Sequence, residues 1–535
     1  MVRSSSILTK FASILILGSM ILSLDLQVSA QVKVQLSVDT SKPGPKIDRN
    51  IFGQFAEHLG YGVYEGIWVG PDSKIPNTRG IRNDVVTALK ALKVPNVRWP
   101  GGCFADEYHW RKGIGTRTVT LNPNWGGVIE ANTFGTHEFM DFIDQIGSQV
   151  YLSINVGSGT PQEAAEWLEY LTTSQPTTLA KERAANGHPV PYKIPMVGIG
   201  NESWDCGGNM TPEYYLRQLT IYSRFVRNFN PAQQGNDQMQ KIAVGPGGGE
   251  ARWIEWTDTI MKAWEKRQWS WDMQGLSLHN YTVINWANKF ASVGFGEKEY
   301  AQILRETLKM EDLITTHSAI MDKYDPQKKI ALVVDEWGSW YAPSPGSNPG
   351  FLVQQNSIRD AVLAALNLNI FARHADRVRG ANIAQMINVL QAMIMTDKEK
   401  MVLTPTYHVF KMYVPFQDAT FIPVTFNAGT YTNSGITLPR VDAIAARDVT
   451  GKLWLELTNV DPNEFVEIEV NIPGLNANTG SGETLTAPTV DSVNTFEAPN
   501  TVSPKPITTK IQNGKLIIKL DPKSVTVVSL GMQND

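Results

Sequence analysis

From residue 50 to about 410, short apolar stretches alternate with segments whose apolar positions recur every three or four residues. Eight short stretches read as strands: residues 51–57, 96–100, 150–156, 196–202, 241–246, 275–281, 330–336 and 379–385. Several are apolar without interruption, Ile330-Ala-Leu-Val-Val334 most clearly, which is the pattern of a strand buried on both faces. Between them lie helical patterns. Residues 83–93 open on Asn83 and carry apolar positions at helical spacing, and 161–171 begin with Pro161 at the first helical position after Thr160. Residues 212–229, 298–324 and 355–373 read the same way. Eight strands alternating with helices predict a (β/α)8 TIM barrel. An open doubly wound sheet would want a glycine-rich phosphate loop after its first strand. The Gly245–Gly249 run instead follows the fifth strand and lacks that spacing.

After about residue 415 the period changes to two. Phe465-Val-Glu-Ile-Glu-Val-Asn-Ile472 puts Val466, Ile468 and Val470 on one face and Glu467 and Glu469 on the other. Lys452-Leu-Trp-Leu-Glu-Leu457 is similar, and Asn513-Gly514 reads as a hairpin turn between strands at 507–511 and 516–520. Residues 476–505, rich in Thr, Asn, Pro and Gly, read as a long loop. An all-β, jelly-roll-like sandwich is expected over 416–535, with the barrel over 50–415. The alternating strand at 32–38 has no place in a barrel, so residues 31–49 are expected to pair into the sandwich.

At the N-terminus, Arg3 and Lys10 precede an apolar run at 11–24, and Val28-Ser29-Ala30 precedes Gln31. That is the layout of a signal peptide over residues 1–30, cleaved after Ala30, and the run is shorter than the ~20 residues of a spanning helix. It predicts a secreted or periplasmic protein with no membrane attachment after cleavage. Composition adds little more. With 42% hydrophobic and 19% charged residues the chain is an ordinary globular one, and a net charge of −4 offers no attraction to nucleic acid. The two cysteines, Cys103 and Cys206, follow two predicted strands. They read equally well as one bridge or as free thiols beside a pocket.

A barrel of this kind carries its active site at the C-terminal ends of its strands. Those ends are polar: Glu57-His58, Gly101-Gly102-Cys103, Asn201-Glu202, His279-Asn280-Tyr281, Asp335-Glu336 and Gln385. Three carry a glutamate. Buried carboxylates are costly unless they work, so three converging on one mouth point to chemistry. The eight histidines show no metal-ligand spacing, no G-x-S-x-G elbow occurs, and no strand end carries a lysine for a Schiff base. No metal and no cofactor is implied. Paired carboxylates suit glycosidic cleavage, one protonating the leaving oxygen and the other attacking the anomeric carbon or activating water. Their separation decides between retention and inversion, and spacing in the sequence does not give it.

Asn201-Glu202 on the fourth strand and Glu336 on the seventh resemble the large clan of (β/α)8 retaining glycosidases. Within it the chain resembles the family 51 α-L-arabinofuranosidases. The matching stretches begin with Asn50-Ile-Phe-Gly-Gln-Phe-Ala-Glu-His-Leu-Gly60, Val97-Arg-Trp-Pro-Gly-Gly-Cys-Phe-Ala-Asp106 and Gly198-Ile-Gly-Asn-Glu-Ser-Trp-Asp-Cys-Gly-Gly208. They continue with Ser277-Leu-His-Asn-Tyr281, Val334-Asp-Glu-Trp-Gly-Ser-Trp-Tyr341, Ala384-Gln-Met-Ile-Asn-Val389 and Asn494-Thr-Phe-Glu-Ala-Pro-Asn500. The resemblance implies a retaining, exo-acting enzyme on arabinose-containing oligo- or polysaccharide. It makes Glu202 the acid/base and Glu336 the nucleophile, with Asn201 bonded to the sugar 2-hydroxyl. Glu57, Arg98, Cys103, Tyr281 and Gln385 would line the ring pocket, His279 would sit near Glu202, and Trp340 would form a wall. It also implies homo-oligomers, trimers or hexamers. Some relatives carry Asn at the position of Cys103, and some follow the nucleophile with Trp-Asn where this chain has Trp337-Gly338. The pKa of Glu202 is expected to be raised by the carboxylate of Glu336. The competing readings are another glycosidase of the clan, such as a β-xylosidase or endoglucanase, and a non-catalytic carbohydrate-binding barrel.

Overall fold

The computed structural model describes residues 32–473 and 480–530. The predicted signal segment lies outside them.

The eight barrel strands are Gly53–Phe55, Asn96–Trp99, Gln149–Ile154, Met196–Ile199, Gln240–Ala243, Gly275–Thr282, Ala331–Ser339 and Val378–Ile383. They are parallel, pair in chain order, and close where Asn382 and Ile383 meet Gly53 and Gln54. The first is shorter than the apolar pattern predicts, because Arg49–Phe52 form a 3-10 turn capped by Asp48. Tyr151, Met196, Ile242, Ala331 and Val333, from four of the strands, form a buried cluster of their own. The outer faces pack on the helices in a much larger core.

Three helices begin on the same local device. In Pro161–Thr172, Pro212–Phe225 and Pro405–Met412 a threonine just before the proline accepts the N–H three residues on. The proline needs no N–H at that position, so one motif fixes both backbone angle and cap. Asn83–Leu92, Glu297–Tyr324 and Ile358–Arg373 follow the predicted helical segments to within a few residues, while Thr136–Ile146 and Ala251–Glu265 are helices the sequence reading passed over. Helix Ile358–Arg373 is buried at every position from Ile358 to Ala372, because the barrel covers one side and the sandwich the other.

The sandwich has two sheets. One carries Val424–Phe426, Val32–Val38, Val466–Asn471, Lys515–Leu520 and Lys510–Gln512 in that order. The other carries Thr420–Ile422, Val441–Arg447, Leu453–Asn459, Ser524–Leu530, Gly480–Leu485 and Lys505–Thr508. The N-terminal strand runs parallel to Val466–Asn471 and buries Val34, Leu36 and Val38 between the sheets.

Two sequence expectations are corrected here. Within the expected long loop, Gly480–Leu485 is a strand between two others. A Cβ on Gly482 would lie 2.1 Å from the Val527 carbonyl, so the residues that look like loop are there to let strands approach. The expected strand at 507–511 is two strands in different sheets. Thr509 breaks it, bonding both the N–H and the carbonyl of Gly480 at 3.0 and 2.9 Å.

Candidate active site

The strand ends meet around a cavity of about 990 Å³, bordered by Glu57, Cys103, Glu202, Tyr281, Glu336 and Gln385. Glu336 is held at both of its oxygens. Arg98 donates to its Oε1 at 2.8 Å and Tyr281 to its Oε2 at 2.7 Å. Charge-assisted bonds of this kind hold a carboxylate in place. The second Arg98 fork reaches Asn201 Oδ1 at 2.6 Å, and Phe55 lies under the guanidinium with its centroid 4.8 Å away.

The seventh strand supplies two adjacent inward carboxylates. In a regular strand Asp335 and Glu336 would face opposite sides. Against the sixth strand, however, Ser277 pairs with Val333 and the next matched pair is His279 with Glu336, so the seventh strand bulges by one residue. Asp335 therefore also points inward. It accepts from Tyr151 at 2.6 Å and lies 3.2 Å from His279 Nε2, while Trp337 turns outward onto Phe371 and Phe410.

His279 links the carboxylates. Its Nδ1 is 2.8 Å from Glu202 Oε1 and 3.5 Å from Glu336 Oε1. Burial works against its charge, yet Glu336, Asp335 and Glu202 together push it up to about 10, so both ring nitrogens carry protons. Asp335 is held low despite its burial, by Arg98, His279 and Tyr151. Glu202 is raised, and here the expectation is corrected. Burial is the leading cause and the Glu336 charge an additional one, with the His279 bond pulling the other way. One ligand atom from each of Glu202, His279 and Glu336 lies within 4.8 Å of the others. The nearest oxygens of the two glutamates are thus closer than the ~6.5–9.5 Å that leaves room for an inverting water.

Glu202 sits at φ +37°, in the left-handed region. Its carbonyl accepts from Asp205 N at 2.7 Å and Gly207 N at 3.1 Å, closing a tight turn. Asp106 anchors that turn from outside the cavity, taking Asn201 N at 3.1 Å and Val156 N and Gly157 N at 2.8 Å each.

Glu57 is a clamp. Its Oε1 accepts from Gly102 N, Phe104 N and Trp125 Nε1 at 2.9–3.1 Å, and its Oε2 from Gln385 at 2.8 Å. Burial pushes its carboxyl up to about 7, against those donors. Trp340 stands at the wall, edge-on to Tyr281 and to the exposed Trp286, with centroids 4.9 and 5.5 Å away. Cys103 and Cys206 are joined as a disulfide with Cα atoms 5.5 Å apart, so the wall presents a bridge and no thiol. Arg98 and Asn201 are each only 1% exposed, with Arg98 reaching the cavity through its bond to Glu336.

Sequence reasoning missed Asp106, Trp125, Tyr151 and the role of Asp335. Trp125 is the one with a local signal, an aromatic in Asn122-Pro-Asn-Trp-Gly-Gly127, a turn whose only large side chain has to go somewhere.

Residues 88–268 match the family model described as the α-L-arabinofuranosidase 1 domain, and residues 335–524 match the α-L-arabinofuranosidase C-terminal domain. A protein of Bacteroides ovatus named intracellular exo-α-L-arabinofuranosidase is 44% identical over 96% of this chain and 99% of its own. One from Halalkalibacterium halodurans, named intracellular exo-α-(1→5)-L-arabinofuranosidase, is 27% identical over 81% of this chain and 83% of its own. Among solved structures, a GH51 arabinofuranosidase from Xanthomonas axonopodis pv. citri superposes with a TM-score of 0.90 at 49% identity, covering 94% of this chain and 100% of that one. These relatives overturn the expectation of a secreted or periplasmic protein, since both curated ones are named intracellular.

Proposed function

The chain belongs to the α-L-arabinofuranosidases of glycoside hydrolase family 51, and on that premise we propose that it removes terminal non-reducing α-L-arabinofuranosyl units from arabinan, arabinoxylan or their oligosaccharides, with retention of configuration. The observation that carries this reading is the close approach of Glu202, His279 and Glu336 at the floor of one cavity, within 4.8 Å of one another. Glu336 is the nucleophile. Arg98 and Tyr281 fix both of its oxygens, so its attack on the anomeric carbon needs no reorientation. Glu202 gives its proton to the departing glycosidic oxygen. Water then enters, Glu202 takes its proton, and the ester to Glu336 is cleaved, restoring both groups.

His279 engages Oε1 of Glu202 and leaves Oε2 for the mobile proton. Glu57, held by four N–H donors, and Gln385 present fixed acceptors and donors to the furanose hydroxyls. Trp340 and Trp286 form an apolar edge for the leaving-group side.

Turnover of an aryl α-L-arabinofuranoside beside the aryl β-xyloside and β-glucoside tests the reading. Selective cleavage of the arabinofuranoside, abolished in Glu336→Ala, is expected. Glu202→Ala is expected to lose about 10²–10⁴-fold, least for the most acidic phenols, and to recover with azide as an arabinofuranosyl azide of retained configuration. Cleavage of the pyranosides alone would refute the substrate, and an azide product of inverted configuration would refute the mechanism.

A further inference from the structure

We propose that Cys103, Cys206 and Glu202 form a binding site for a thiophilic divalent cation of the zinc type, which exists only when the disulfide is reduced. The two cysteines stand 103 positions apart in the sequence and join the loops after the second and fourth barrel strands. Both are partly exposed and Cys103 borders the cavity, so a small reductant entering the cavity reaches the bridge. A dithiol breaks it by exchange. The sulfur–sulfur bond is replaced by two cysteine thiols, and the dithiol, having given up two hydrogens, leaves as its own disulfide.

What reduction exposes is a ligand set. Both sulfurs and a carboxylate oxygen of Glu202 lie within 4.8 Å of one another, and Cys206 Sγ is 3.7 Å from Glu202 Oε2. Zinc bonds of ~2.3 Å to sulfur and ~2.0–2.2 Å to oxygen put tetrahedral S and O ligands about 3.5 Å apart and two S ligands about 3.8 Å apart. The carboxylate is thus already in place, and only the freed sulfurs must separate, which rotation about their Cα–Cβ bonds allows. The fourth position faces the cavity and takes water. Two thiol protons pass to solvent as the cation binds.

The neighbouring group of Glu202, His279 and Glu336 is as compact but unsuited to a cation. Both oxygens of Glu336 are taken by Arg98 and Tyr281, and the guanidinium charge stands beside them. The sulfur site instead uses Oε2 of Glu202, the oxygen His279 leaves free. A cation there occupies the proton-delivering atom and stops turnover. That consequence rests on the acid/base reading of Glu202; the existence of the site does not.

The experiment uses the full chain, reduced by a phosphine, which takes the oxygen of one water while its two hydrogens complete the thiols. Cadmium is titrated and the ultraviolet thiolate-to-cadmium absorption recorded, then zinc is added during aryl arabinofuranoside turnover. The expected result is one cadmium per reduced chain with the absorption band, and none per oxidised chain. Zinc should lower turnover of the reduced enzyme by about 10²-fold or more, reversibly with a chelator. Cys103→Ser and Cys206→Ser, each checked for cooperative melting, should both lose the band. No band in the reduced chain, or an equal band in the oxidised chain or in both variants, overturns the site. A band with undiminished turnover overturns the part given to Glu202.

Discussion

Asp106 never touches the cavity, yet three backbone N–H groups that shape it end on its carboxylate. An asparagine there keeps one acceptor oxygen and turns an NH2 toward a donor. Asp106→Asn is therefore expected to cost about 1–3 kcal/mol, the desolvation of one unpaired buried N–H. It should also lower kcat more than KM, because the Asn201 N–H sets the turn on which Glu202 sits. Denaturant melts and steady-state kinetics of the variant check both, and a variant with parental stability and kcat would remove Asp106 from that role. At this scale the sequence brings out titratable residues at strand ends, such as Glu202, His279 and Glu336, which the fold gathers at one cavity. It hides those that act through the backbone. Asp106 has no partner side chain to pair with by type, and its three contacts lie 50, 51 and 95 positions away.

At the scale of elements, the alternation of apolar runs and helical periods carried the barrel, since its strands are mostly buried on both faces and most of its helices on one, with Ile358–Arg373 buried all round. It missed features set by close approach. The bulge before Glu336 leaves no mark in Val333-Val334-Asp335-Glu336, because bulging is decided by register against the sixth strand. The turn after Glu202 is similar. A Cβ on Gly207 would lie 1.8 Å from the Asn201 carbonyl and 2.8 Å from Asp106 Oδ2. Gly207→Ala is expected to push the turn outward and cut turnover by at least about tenfold, as a misplaced catalytic group does, while leaving the sandwich unaffected. Activity equal to the parent's would show that the turn adapts. The strand Gly480–Leu485 was hidden for the same reason, its glycines serving contact between neighbours.

At the scale of the whole molecule, barrel and sandwich meet across a polar, buried seam. Asn369 on helix Ile358–Arg373 donates to Glu456 at 2.6 Å and to Asp442 at 3.0 Å, and takes a bond from Tyr413 at 2.8 Å. Burial raises Glu456 from 4.5 to about 8. Over that window the folded chain keeps a proton that the unfolded chain releases, so stability falls as pH rises, by up to about 1.4 kcal/mol per pH unit. Glu456→Gln keeps an acceptor for Asn369 and removes the ionisation. It should match the parent near pH 4.5 and exceed it in stability by pH 8. Denaturant melts across this range check the sign, and parallel curves would mean that Glu456 stays ionised in the fold.

The strand Val32–Val38 lies inside a sheet whose other members come from residues 424–520, parallel to one and antiparallel to another. During synthesis this strand, the first of the described residues, has no sheet neighbours until residues 424–426 and 466–471 have left the ribosome. The barrel, whose strands pair in the order they are made, can assemble as it emerges. The sandwich cannot, so its completion is expected to follow that of the barrel, when Val32–Val38 is enclosed by strands made more than 380 residues later.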